Sequence, residues 1–483
     1  MGRSLLFLAS ILALAIFSLA GFDFPGGRIQ SDIKAKEAFK NLNFFAEGRG
    51  IHLVPGLIEV SENFNLTKSG LALRDVILHD RWGFNIENHW PVGLFDEEFK
   101  GMRIGALGCV ACHSGRAAGQ LILGLGNKNI DVFAIGRDAS YIENLYIELH
   151  RQPRNDPDFL AVRDSALQFA KLLSNRKIAN TTQGMVPVSF IRAWFYKNAN
   201  LSLPEGLTRG AVKVPPLWGY GEKRKVGQFS DGYGNGNLPG WAIAVELSGG
   251  QRPETVRSYL PKIEEAENLF SDFLPPKYPF EIDSTKAAKG KVVFEKTCVR
   301  CHGQYQIDGE GLPIYEAPKF IPLSVVNTDD DRLAANTPFF NHLVETSPLG
   351  DIIRHTDLGR GYFAPRLVGI WSRFPYLHNG SVPNIFNLLK PPTQRSKIFS
   401  VQDAGEEFRF DKAKLGLTIE NLTHREAKRR NAPFTPFNAE EEELTTRTKY
   451  NTQEVGHSNL GHPFGTTLSQ EEKYQLIEYL KTL

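Results

Sequence analysis

The sequence predicts a mainly α-helical protein of two domains, with long loops and few short strands, behind a short leader. Three observations lead there: an apolar opening run, a proline-rich break near residue 280 between stretches of helical patterning, and four cysteines that fall as two identically spaced pairs. At roughly 150 residues per domain, 483 residues suggest about three domains; composition changes along the chain revise this to two plus the leader. Lys+Arg 56 against Asp+Glu 54 leaves a formal net charge of +2, so no global basic field exists to hold nucleic acid or an anionic membrane. With 41% hydrophobic and 23% charged residues, the chain reads as globular, neither disordered nor polytopic.

The leader comes first. Met1-Gly2-Arg3 precedes an apolar run over residues 5–19, and Ser18-Leu19-Ala20 stands before Gly21. A charged start, an apolar centre and a small-residue cleavage site describe a secretory signal over residues 1–20. An uncleaved anchor helix is the rival reading, weakened by a run shorter than the roughly 20 residues a bilayer span needs. No later run reaches that length, so the mature chain is expected to be periplasmic or secreted without a membrane span, where thiols oxidise unless they are used.

Residues 21–282 form the N-terminal region, rich in Gly and aromatics, with helical patterning at 140–150 and 156–173 joined by extended loops. Pro275-Pro276-Lys277-Tyr278-Pro279 then stiffens the chain, and Asp283-Ser284 supplies N-cap chemistry for a helix over 286–295 that runs into the second cysteine pair. The second domain is therefore placed at 283–483. It closes with Ser469-Gln470-Glu471-Glu472, a capping box, and a helix carrying Tyr474, Ile477 and Leu480 on one face. Between these helices, residues 395–460 read as an insertion of loops, with solvated charge runs at 428–430 and 440–443.

Both cysteine pairs carry a histidine immediately behind them: Cys109-Val110-Ala111-Cys112-His113 and Cys298-Val299-Arg300-Cys301-His302. This is the spacing of c-type haem attachment, where two thiols bond the vinyl groups and the next residue ligates iron. Two intervening residues put the thiols about one helical turn apart, facing one porphyrin edge, while the histidine turns beneath the ring centre. A redox dithiol or disulfide, and a zinc site built from both pairs, are the rivals, and neither needs the histidines. Histidine makes up 12 of 483 residues, so its place behind both pairs has a chance probability on the order of one in a thousand. The fold class sharpens accordingly to two c-type cytochrome-like haem domains, each with one covalent haem c.

One axial ligand per iron leaves the sixth position to be found. Beyond Met1, only Met102 and Met185 are methionines. Met102 stands just ahead of its own haem motif; Met185 is a candidate for the first iron, with a core role as the alternative. The second domain has no methionine. Small c-type cytochromes place the distal ligand on the loop before the C-terminal helix, here Gly456 to Gly465, so His462 is the first choice, with His378 and then His457 as alternatives. His150, the next histidine after His113, lies in helical patterning with no feature of a ligand. The first iron is therefore the candidate reactive centre, open or water-filled.

These residues resemble the bacterial dihaem cytochrome c peroxidase superfamily, and within it the rubber oxygenase-like branch. The segments carrying the resemblance are Gly361-Tyr362-Phe363-Ala364-Pro365-Arg366-Leu367-Val368-Gly369-Ile370-Trp371, Phe374-Pro375-Tyr376-Leu377-His378-Asn379-Gly380 and Gly461-His462-Pro463-Phe464-Gly465. The resemblance implies a bis-histidine haem completed by His462. In the first domain, Val214-Pro215-Pro216-Leu217-Trp218 and Phe229-Ser230-Asp231-Gly232 are similar to the family's inter-haem stretch. The family's relay tryptophan is replaced by Ser230, leaving Trp218 or Trp241 as substitutes. Glu246 falls where the peroxidases place a distal acid that moves a proton between peroxide oxygens. Calcium between the haems is known in the superfamily, but no EF-hand-like loop supports it here.

The function expected is thus an exported dihaem oxidoreductase of peroxidase or oxygenase type, relaying electrons from the C-terminal haem to an N-terminal haem that reacts with peroxide or dioxygen. A small redox protein or membrane electron donor is the expected partner. The alternative is a non-catalytic electron-transfer cytochrome with both irons six-coordinate.

Overall fold

The computed structural model describes residues 54–55, 76–87, 90–99, 102–136, 181–204, 210–218, most of 257–264, 275–307, 313–315, 319–334, 336–353, 359–419 and 447–483. The leader at 1–20, the helical patterns at 140–150 and 156–173, Ser230, Trp241, Glu246 and the two charge runs lie outside these.

Strands Leu94–Phe99 and Met102–Leu107 form an antiparallel hairpin, and the first cysteine motif follows at once as a single turn, α1 (Cys109–Cys112). The chain leaves α1 through a second hairpin, Ser114–Ala117 with Gln120–Leu123. Ala118 and Gly119 turn it at φ of 52° and 80°, the left-handed pair that suits a two-residue hairpin loop. Asn127 then ties the motif down: its N–H donates to the Cys112 carbonyl at 2.7 Å, and its amide to the Gly83 and Ala111 carbonyls at 2.9 and 3.2 Å.

Next comes α2 (Ser189–Asn198). The second region opens with α3 (Ser284–Thr297), whose N-cap Asp283 accepts from the Lys286 N–H at 2.9 Å. Cys298 interrupts the helix, and α4 (Val299–His302) carries the rest of the second motif. The chain continues through α5 (Pro338–Glu345) and ends in α6 (Gln470–Leu480), started by the reciprocal Ser469–Glu472 capping box. α3 lies against α6. A Cβ at Gly290 would stand 1.8 Å from the Gln475 carbonyl oxygen, so only glycine permits this approach. Phe294, Leu476 and Ile477 are at most 1% exposed, and each such side chain contributes about 1.5–3 kcal/mol by leaving water.

Short strand pairs hold the loops of the second region. Phe320–Pro322 pairs with Gly361–Phe363, Ile398–Ser400 with Lys449–Asn451, and Phe410–Asp411 with Gly416–Leu417. The described ends of the 395–460 stretch are thus paired to one another rather than left as free loops. A single cluster of buried side chains includes Val110, Phe133, Phe195 and Trp218 from before residue 282, and Phe294, Phe340, Trp371 and Leu476 from after it. Phe195 meets Phe340 edge to face at 5.7 Å. A two-pronged ion pair between Arg447 and Asp131, each side chain 5% exposed, also joins these regions. Among the described residues no helix is long and apolar enough to cross a membrane.

Candidate functional site

In the second motif, the short α4 presents His302 half-buried, and its Nδ1–H donates to the Pro365 carbonyl at 2.9 Å. A carbonyl only accepts, so this bond fixes the proton on Nδ1 and leaves the Nε2 lone pair for a metal. Burial lowers the His302 pKa, with the Arg373 charge adding to it, so the ring is neutral. Pro365 is itself set by the strand Gly361–Phe363 and by Ala364, whose N–H donates to the Lys319 carbonyl at 3.0 Å.

Opposite His302 stands His462, with ring centres 6.2 Å apart and planes at 44°. Its pKa falls to about 3 through burial, then the His302 and Arg395 charges, so it too is neutral. The His462 backbone is left-handed at φ 57°, and its N–H donates to the Val326 carbonyl at 2.7 Å. Arg395, 3% exposed, clamps this loop. Its guanidinium donates to the carbonyls of His462 and Leu388 at 2.9 Å, of Lys390 at 3.3 Å, and of Asn459 and Gly461. An arginine fully occupied by carbonyls is a positioning device, and charge patterning alone gives no sign of it.

The first motif repeats the key bond in a different backbone setting. His113 Nδ1–H donates to the Pro215 carbonyl at 3.0 Å, so its Nε2 is likewise left as a ligand. Pro215 belongs to the Val214–Trp218 segment, held by the Leu217 N–H donating to the Gly124 carbonyl at 2.8 Å. Trp218 is 5% exposed, with its indole N–H buried and without a hydrogen-bond partner. Its ring lies beside Gly369, where an added Cβ would be 3.4 Å from it. The segment that tethers His113 therefore touches the segment that tethers His302.

The rival chemistries fit less well. Burial pushes the Cys112 thiol up to about 11 and the Cys298 thiol up to about 12, whereas a redox dithiol needs a thiolate. Cys112, Cys298 and Cys301 form no disulfide, and among the described residues no three His, Cys, Asp or Glu side chains gather at a metal-sized point. A haem iron between two imidazoles needs about 2 Å from metal to each nitrogen and about 1.1 Å onward to each ring centre, roughly 6 Å in all. The His302–His462 spacing meets that requirement.

Other predicted residues lie elsewhere. His378 stacks on Tyr362, 4.9 Å between ring centres, and its carbonyl accepts from the Lys213 N–H at 2.9 Å. His457 is 2% exposed against Tyr450 at 4.7 Å. Met185 is 3% exposed, opposite Lys213 in a two-residue ladder, with Sδ against Gly380. The side chains of Cys109 and Met102 lie outside what is described. Sequence reasoning missed Pro215, Pro365 and Arg395.

Residues 361–400 match the family model described as RoxA-like, cytochrome c-like. The chain is 26% identical over 254 residues to the uncharacterized protein y4iM of Sinorhizobium fredii, covering 44% of this chain and 52% of that protein. It is 35% identical over 281 residues to y4iJ of the same organism, also uncharacterized, covering 45% of this chain and 43% of that one. The chain thus spans about half the length of the curated relatives it matches, and neither name states an activity. The matched segment contains both Pro365 and Arg395, so the RoxA-like, cytochrome c-like relationship falls on the residues that fix His302 and His462, and it implies covalently bound haem c.

Proposed function

We propose that the chain is an exported dihaem c-type cytochrome oxidoreductase of the dihaem peroxidase superfamily, rubber oxygenase-like branch, with a leader over 1–20 and haem domains at 21–282 and 283–483. The observation that carries this reading is the repeated bond from the histidine of each Cys-x-x-Cys-His motif to a proline carbonyl, Pro215 and Pro365. Covalent haem c supplies one-electron chemistry at such sites. Cys109, Cys112 and His113 would hold one group, and Cys298, Cys301, His302 and His462 the other.

His462 closes the second site to exogenous ligands, which suits an electron relay; the first site is the place for peroxide or dioxygen. Trp218 packed on Gly369 supports a relay from the C-terminal to the N-terminal domain. Glu246 is proposed as the distal acid, and a small redox protein or membrane electron donor as the source of electrons. The experiment is absorption and electron paramagnetic resonance of the purified ferric protein, before and after peroxide. One low-spin and one high-spin haem, only the latter responding to peroxide, is the expected result. Two low-spin haems in both redox states, inert to peroxide, would make the protein a carrier. If Glu246→Gln turns over peroxide at the wild-type rate, the role given to Glu246 fails.

A further inference from the structure

Beside the segment that tethers His113 lies a cavity of about 30 Å3, lined among others by Lys128, Lys213, Arg373, Gln183, Met185 and Tyr450. Among the described residues its lining contains three basic side chains and no carboxylate. Lys128 Nζ donates to the Arg116 carbonyl at 2.8 Å and lies 4.6 Å over the Phe374 ring. Lys213 Nζ donates to the carbonyls of Arg373 and Pro375, the latter at 2.7 Å. Arg373 donates to the Arg366 carbonyl, and its Nε is buried with no partner.

Carbonyls and aromatic faces soften these charges but do not neutralise them. Burial, Arg373 and Lys128 together drive the Lys213 pKa well below its ordinary value, and burial takes Lys128 down to about 7. Buried like charges in mutual reach are strongly unfavourable, so either the amines give up their protons or an anion joins them. One water needs roughly 10–15 Å3 of such space, so the cavity holds about two oxygens. That is the end of a carboxylate.

The cavity is also lined by groups that act on both histidines. Val214 and Pro216, on either side of Pro215, line it, and so does Arg373, whose charge reaches His302. We propose that Lys128, Lys213 and Arg373 form a seat for a carboxylate, filled by a propionate side chain of a bound haem c. The identity of the occupant rests on the two-haem reading; the seat itself rests on the cavity alone. A free small carboxylate has the same chemistry and is the other possible source.

The test is infrared spectroscopy of the haem-loaded protein, its haem propionates 13C-labelled at the carboxyl through labelled 5-aminolevulinate, compared with Lys213→Met. The wild-type protein is also titrated with formate. A label-sensitive carboxylate band that shifts in Lys213→Met is the expected result and assigns the seat to a propionate. Saturable formate binding that disappears in Lys213→Met, with no shift of the labelled band, supports the seat and gives it to a free carboxylate. The absence of both the band shift and saturable formate binding overturns the proposal. If Lys213→Met fails to load haem, Lys128→Met is read in the same way. A haem count on each sample keeps the outcomes apart: fewer than two haems fails the two-haem reading, and two haems with unmoved bands and no formate effect fails only the seat.

Discussion

Arg395→Met is the change that most cleanly separates the position of His462 from its chemistry. The guanidinium donates to five carbonyls, three of them, Asn459, Gly461 and His462, in the loop that carries the ligand. Methionine keeps much of the stem volume and removes every donor. Each loop carbonyl left buried without a partner costs about 1 kcal/mol, so the anchored loop loses about 3 kcal/mol relative to an open one. Relief of burying a lone cation offsets part of this, and the upper bound corresponds to roughly a hundredfold change in the ratio of anchored to open loop. The low-spin signal assigned to His302 and His462 should fall, a high-spin component should appear, and added imidazole should restore the low-spin form. Arg395→Lys, with one ammonium reaching fewer carbonyls, should lie between. A spin state and melting temperature both unchanged in Arg395→Met would refute the clamp.

Removing the proposed ligand itself should be more complete: His462→Ala should convert the haem proposed at His302 to a high-spin, imidazole-binding form, while His378→Ala, at a ring stacked on Tyr362, should leave the spin state alone; electron paramagnetic resonance reads both. Asp131→Asn strands the buried Arg447 charge and should lower unfolding free energy by about 3–5 kcal/mol in a denaturant titration. Stability should also fall on acidification. Burial, Arg332 and Lys213 lower His378 from its ordinary value of 6.5 to about 3. Above pH 6.5 the ring is neutral folded or unfolded; between 6.5 and 3 only the unfolded chain takes up the proton, so stability is lost as pH falls through that window. In His378→Gln the melting temperature should decline less steeply there.

Local chemistry was legible in the sequence, and long-range backbone chemistry was not. Asp283 caps its helix and Ser469 and Glu472 form their capping box because a cap needs only residues three apart. The His462 loop was legible by its place before the last helix. Pro215 and Pro365 were not, since the group that matters is a main-chain carbonyl, which every residue has, and it acts across 102 residues in one case and 63 in the other. Arg395 gave no signal for a related reason. A lone arginine reads as solvated surface, and only the fold reveals five carbonyls around it. The strand pair Ile398–Ser400 with Lys449–Asn451 was hidden by the long stretch of loop patterning between its partners. Where Lys128, Lys213 and Arg373 converge, the residues come from three separated segments, and no local spacing announces them.

Intact mass spectrometry of the chain matured in an exporting host, after denaturation and removal of all non-covalent ligands, counts the covalently held haems. The polypeptide should retain two haem masses, and Cys298→Ser with Cys301→Ser should retain one. A bare polypeptide mass, or a single haem unaffected by loss of either cysteine pair, would contradict the account.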